Sequence, residues 1–120
     1  MKRIRKHLNS YRYSIRGIRL AFQIDYNIGF HLASAILVLV ANSVLKVNKT
    51  EWLVTLILIG LVWMAEIFNT AIEKLADRVT KEQDLLIGQV KDLASGGVLI
   101  IGFFAAVCAV IIYLPYLVKF

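Results

Sequence analysis

An all-α integral membrane fold, with three transmembrane helices behind an amino-terminal amphipathic surface helix, is what this sequence predicts, and three observations carry that reading. Apolar residues make up 59% of the 120 positions and the mean hydropathy is +0.71, more apolar material than a small soluble core can bury. Three stretches, about 28–45, 52–73 and 93–118, are almost free of charge, and each is long enough to cross roughly 30 Å of hydrocarbon. The basic residues are lopsided about these stretches. Lys2, Arg3, Arg5, Lys6, Arg12, Arg16 and Arg19 precede the first, and Lys74, Arg78, Lys81 and Lys91 separate the second from the third, whereas Lys46, Lys49 and Lys119 alone fall on the other side. Cytoplasmic loops retain Lys and Arg, so the amino terminus and the second connection are expected in the cytoplasm. The excess positive charge then reads as topology and attraction to anionic lipid, and no nucleic-acid partner is expected.

Taken in order, residues 4–24 place Ile4, Leu8, Tyr11, Ile15, Ile18 and Phe22 at alternating spacings of four and three, with basic residues on the other faces. That pattern suits a helix lying on an anionic membrane surface; a coiled coil shares the spacing, but the run is short and its polar face almost wholly cationic. Gly17 predicts a bend or a close contact there. No cleavable signal peptide is expected, because the first apolar run begins late and is too long for one. The six-residue connection Lys46 to Glu51 predicts an antiparallel hairpin of the first two spans. The second connection, about Lys74 to Asp92, is longer, and Thr80 with Gln83 resembles a capping box for a short helix. In the third span Ala94, Ser95, Gly96 and Gly97 permit close approach of a helix or of a ligand. Cys108 stands alone and reads as a packing thiol. The whole chain reads as a single domain, 1–120.

The second span carries the chemistry. Glu66, Asn69, Glu73 and Asp77 follow one another at three, four and four residues, so they share one side of a helix. A carboxylate inside a bilayer costs roughly 2.5 kcal/mol or more, and such groups usually face a bundle interior and serve function. The bland alternative is that Glu73 and Asp77 lie at the water interface and Glu66 is a packed carboxyl. Glu66 lies about 21 Å of helix rise from Trp52 and Glu73 about 10 Å further, near the headgroups. A carboxylate at that depth suits a general base for a lipid hydroxyl. Mg²⁺ favours one or two carboxylates together with phosphate oxygens, which Asp25 and Glu73 suit, and Lys91 suits phosphate charge. These parts point to phosphoryl transfer to a lipid alcohol, although no Walker, protein-kinase or Rossmann motif is present to announce a nucleotide. His31 reads either as a lipid or proton contact or as a packed histidine.

The run Glu66-Ile-Phe-Asn69-Thr70-Ala71-Ile72-Glu73-Lys-Leu-Ala-Asp77, then Lys91-Asp92 and the small residues 94–97, together with Tyr13-Ser14-x-x-Gly17 and Asp25, resembles the prokaryotic diacylglycerol kinases, which include the undecaprenol kinases. The resemblance implies a homotrimeric, three-span kinase of the bacterial inner (plasma) membrane that uses ATP and Mg²⁺ to phosphorylate a lipid alcohol. It implies Glu66 as proton acceptor, Asp25 and Glu73 as the metal pair, and Tyr13, Asp77, Lys91 and Asp92 as further nucleotide contacts. Asn69, Ser95 and His31 then stand with Glu66 near the lipid or the reacting groups. Asp25 replaces the family's usual Glu, and Glu82-Gln83-Asp84 replaces its usual Glu-Tyr-His. The segment Asp25-Tyr-Asn27-Ile-Gly29-Phe-His31 resembles the form found in undecaprenol-type members, with Gly29 in place of a basic residue, so undecaprenol is the expected substrate and diacylglycerol the alternative. Two other classes compete. A small proton-coupled exporter shares an isolated membrane Glu, but such chains resemble four-span proteins with that Glu in the first span. A membrane assembly subunit accounts for the small residues, not for the polar register.

Overall fold

The computed structural model describes residues 1–119. Four helices follow one another: α1 Lys2–Ile24, α2 Ile28–Leu45, α3 Lys49–Val79 and α4 Leu85–Val118. The last three are long and apolar enough to cross a membrane. No strand occurs among the described residues.

The connections are tighter than the composition suggests. α1 runs unbroken through Gly17, where an added Cβ would meet nothing within 4 Å, so the expected bend or close contact is absent. At its end Asp25 turns the chain: its Oδ1 accepts from the Asn27 amide at 2.9 Å and its carbonyl from the Ile28 amide at 3.2 Å. An Asp side chain commonly holds a turn in this way. α2 closes on Lys46 in the left-handed conformation, φ 53°. Asn48 and Glu51 then exchange backbone-to-side-chain hydrogen bonds of 2.8 and 3.1 Å, a capping box that starts α3 two residues earlier than the expected linker end.

At the second connection the expected Thr80–Gln83 capping box does not form. The helical pattern of α3 continues to Val79, leaving Thr80 extended as its last cap, where its hydroxyl accepts from the Glu82 amide at 3.1 Å. Asp84 takes the capping role instead, accepting from the Ile87 amide at 3.0 Å. The broad 74–92 connection therefore contracts to residues 80–84, and Lys91 and Asp92 sit inside α4 rather than in a loop. With 31 and 34 residues, α3 and α4 are about 46 and 51 Å long at 1.5 Å per residue. Both outrun the roughly 30 Å hydrocarbon layer.

α3 packs chiefly against α4, and α2 touches α3 at few points. The short α2–α3 connection makes those two helices neighbours, but the extensive pairing belongs to the later hairpin. It is pinned at both ends, by Lys91 Nζ on Asp77 Oδ1 at 2.7 Å and by the Tyr116 hydroxyl donating to Glu51 Oε1. Within one protomer the buried apolar residues are few, Ala21, Val47, Ala76 and Ile112 among them. The accessible surface is 9674 Å², against about 6,600 Å² for a soluble monomer of this mass. Such apolar surface needs lipid or further copies of the chain around it.

At the end of the bundle away from Glu66, Asn42 is completely buried and joins all three long helices. Its Nδ2 donates to Thr55 Oγ1 at 2.8 Å, and its Oδ1 accepts from the Tyr113 hydroxyl at 2.6 Å. The Thr55 hydroxyl in turn donates to the Glu51 carbonyl at 2.9 Å. Removing one buried partner leaves the others without a substitute in hydrocarbon. Asn42→Ala is therefore expected to destabilise the protein by about 1–3 kcal/mol. A denaturant titration of the folded protein in mild-detergent micelles measures this, and an unchanged midpoint would show the network to be energetically idle.

Candidate active site

The polar stripe of α3 is the spine of the site. Glu66 is 4% exposed and is met from two sides. His31, on the first turn of α2, places Nε2 3.3 Å from Glu66 Oε2, and the Asp25 carboxyl lies close to Glu66 at the α1–α2 turn. Local packing explains the register. The rings of Phe22 and Trp63 meet at 5.5 Å between centroids, and three residues beyond each ring come Asp25 and Glu66. The aromatic pair thus sets the end of α1 against α3 on the approach to Glu66.

One turn along α3, Asn69 Nδ2 donates to Glu73 Oε1 at 3.4 Å, and one further turn on, Asp77 holds Lys91 of α4. Asp25, Glu66 and His31 thus come together, and so do Asn69 with Glu73 and Asp77 with Lys91. The remaining predicted residues stand apart within a single protomer. Tyr13 lies out on α1, 61% exposed, with the Arg16 guanidinium 5.4 Å above its ring. Asp92 and Ser95 lie on exposed positions of α4. Beside Lys91, the 80–84 connection and the first turns of α4 form a polar cleft lined by Lys81, Glu82, Gln89 and Asp92.

Two oxygens at the site are buried without a donor, Asp25 Oδ2 and Asn69 Oδ1. An unpaired buried acceptor is costly, and both belong to residues flanking Glu66. Together with the Glu73 carboxylate they are hard oxygen donors of the type Mg²⁺ takes. No group of three or more His, Cys, Asp or Glu residues is placed to cage a metal among the described residues.

The family whose sequence model matches this chain, over residues 12–113, is prokaryotic diacylglycerol kinase. The chain belongs to that family. Prokaryotic diacylglycerol kinases are lipid kinases, and the curated relatives carry names of that kind. An undecaprenol kinase of Bacillus subtilis (strain 168) is 30% identical over 114 residues, covering 95% of this chain and 93% of the relative. A diacylglycerol kinase of Haemophilus influenzae is 29% identical over 103 residues, covering 86% and 83%. A diacylglycerol kinase of Synechocystis sp. is 31% identical over 106 residues, covering 88% of this chain and 58% of that longer protein.

For a prokaryotic diacylglycerol kinase, the arrangement groups the buried Glu66 with His31 and Asp25, and sets Asp77 on Lys91 further along the same stripe. Sequence reasoning singled out these residues but missed the network at the opposite end, Asn42 with Thr55 and Tyr113. A signal was available: Asn42 and Thr55 are amide and hydroxyl residues near the facing ends of two apolar runs joined by a short connection, where polar side chains seek partners on other helices.

Proposed function

We propose that this chain is an ATP- and Mg²⁺-dependent kinase of a lipid alcohol, undecaprenol in preference to diacylglycerol, working at the cytoplasmic face of a bacterial plasma membrane. The observation that carries the reading is the buried Asp25–Glu66–His31 cluster at the inner end of the polar stripe. Undecaprenol is favoured because a relative matched over 95% of this chain bears that name and because His31 stands on Glu66.

In the proposed reaction the lipid oxygen attacks the γ-phosphorus of ATP, the bond from that phosphorus to the β,γ-bridging oxygen breaks, and ADP leaves. Glu66 takes the hydroxyl proton as the new P–O bond forms. His31, 3.3 Å away, holds the Glu66 carboxyl in one orientation, which matters because phosphoryl transfer is dominated by positioning and charge stabilisation. Asp25, Asn69 and Glu73 would hold Mg²⁺, which when bound offsets phosphate charge. Lys91 exchanges its Asp77 partner for phosphate, and Tyr13 and Asp92 contact the nucleotide. Ser95 and Asn69 border the lipid. α1 lies on the membrane surface, and its basic face meets anionic headgroups.

A homotrimer supplies what one protomer lacks. Cβ atoms at Gly96 or Gly97 would meet nothing within 4 Å, which leaves room at those two positions for a helix of another copy.

One preparation tests the reading. Purified protein, whose mass after correction for bound detergent is expected to be that of three copies, is reconstituted into sealed vesicles sorted by orientation. Labelled ATP with Mg²⁺ is added outside, with undecaprenol and diacylglycerol in the bilayer. Phosphate should enter undecaprenol faster, and only in vesicles with the amino terminus outward. Labelling of neither lipid in folded protein would end the kinase reading, and labelling in the opposite orientation would reverse the topology.

A further inference from the structure

An apolar groove runs between α2, α3 and α4 from the reacting cluster to the Asn42 network, bounded by His31 at one end and by Thr55 and Tyr113 at the other. It stays open because the helices flanking it present small residues: Ala35 on α2, and Ala105 and Ala109 on successive turns of α4. The next turn of α4 brings Tyr113, whose hydroxyl is held by Asn42 Oδ1 at 2.6 Å. Tyr113 therefore lines this end of the groove with its hydroxyl tied down, and it cannot swing aside without breaking that hydrogen bond. Near the other end the Ser34 hydroxyl donates to its own helix at Phe30 O, 2.9 Å, so it presents little polarity to the groove.

We propose that this groove takes the hydrocarbon tail of the membrane alcohol whose hydroxyl sits at Glu66, and that Tyr113, fixed by Asn42 and Thr55, is the end wall that sets how much of the tail is gripped. The inference rests on the lipid-kinase reading. Its ground is continuity: the residue that closes the inner end, His31, is the one that contacts Glu66. From Glu66 to Thr55 is eleven residues of α3, about 16 Å of rise. A longer tail must leave sideways into the bilayer at Tyr113. Because the competing environment is lipid, as apolar as the groove, selectivity here comes from shape and exclusion rather than from transfer out of water.

The test uses the full-length protein in lipid nanodiscs and a series of isoprenoid alcohols and diacylglycerols of graded tail length. The wild-type kcat/KM should rise with length and flatten once the extended tail reaches about 16 Å. Ala109→Leu, which fills the groove one turn before the wall, should bring the plateau to shorter tails and lower the long-to-short ratio of kcat/KM by roughly fivefold. Tyr113→Ala should carry the plateau to longer tails. Should Ala109→Leu fail to fold, Ala105→Val makes the same test one turn nearer Glu66.

Binding is read independently of turnover. Trp52 and Trp63 are the two tryptophans of the chain, and Trp63 lines the groove, so Trp52→Phe leaves one reporter. An alcohol brominated along its tail should quench that fluorescence more strongly than a brominated phospholipid at equal bromine content. Equal quenching, or an Ala109→Leu length profile identical to wild type, would overturn the groove assignment while leaving the kinase reading intact. An equal loss for all tails with a changed particle mass would overturn it in favour of a neighbouring copy's helix filling the groove. Failure of the wild type to phosphorylate any alcohol would instead strike the lipid-kinase reading itself.

Discussion

Glu66→Gln is expected to lower turnover by about 10² to 10⁴ while nucleotide affinity and particle mass stay close to wild type. The substitution preserves the shape of the side chain and an oxygen that can accept from His31 Nε2, 3.3 Å from the carboxylate in the native chain. What it removes is the ability to take a proton from the lipid hydroxyl. Glu66 is 4% exposed, so bulk water does not replace the base readily. The measurement is single-turnover phosphorylation of undecaprenol in nanodiscs, with ATP binding followed separately by calorimetry. Near-normal turnover in the Gln variant would reduce Glu66 to a structural carboxyl, and Asp92 would become the next base to test.

Asp25→Asn and Glu73→Gln should each raise the Mg²⁺ concentration for half-maximal activity by roughly 10- to 100-fold, with Glu73→Gln at least as strong. Asn at position 25 can still accept from the Asn27 amide, so the α1–α2 turn survives and the loss is that of a carboxylate at the orphaned Oδ2 position. A Mg²⁺ titration of initial rates reads the effect, and unchanged dependence in both variants would remove both residues from the metal set. The pair also tests how a site is distributed among subunits. Asp25 and Glu66 meet within one chain, so mixed oligomers of Asp25→Asn and Glu66→Gln chains should stay inactive. Recovery of activity on mixing would mean that these carboxyls pair across chains instead.

Much of the molecule was legible before any coordinates. The α3 stripe was readable because helical periodicity is local: residues 66, 69, 73 and 77 share a face whatever surrounds the helix. The three spans followed from runs of uncharged residues by the same local logic. Helix ends were harder to read. α3 outlasted its apolar stretch because charged residues continue a helix as well as apolar ones do, and Asp84 rather than Thr80 became the next cap. What no local pattern contains is the meeting of distant segments. Asp25 comes close to Glu66 where Phe22 packs on Trp63, an aromatic contact across two helices with no periodic signature. Asn42 stands out as a polar residue in an apolar run, but its pairing with Tyr113, 71 positions away, exists only once three helices are assembled.

That separation also bears on how the chain is made. Synthesis and folding proceed from the amino terminus, so the two hydrogen bonds of the Asn42 side chain become available at different times. Its amide finds Thr55 once α3 joins α2, a delay of 13 positions, whereas its carbonyl waits for Tyr113 near the far end of α4. Hydrocarbon offers that oxygen no interim partner. The nascent α2–α3 hairpin is thus born one donor short, and the last helix to emerge supplies it. Arrival of α4 is registered at the end of the bundle away from Glu66, so a chain halted before Tyr113 carries the polar stripe of α3 and lacks the bond that locks its frame.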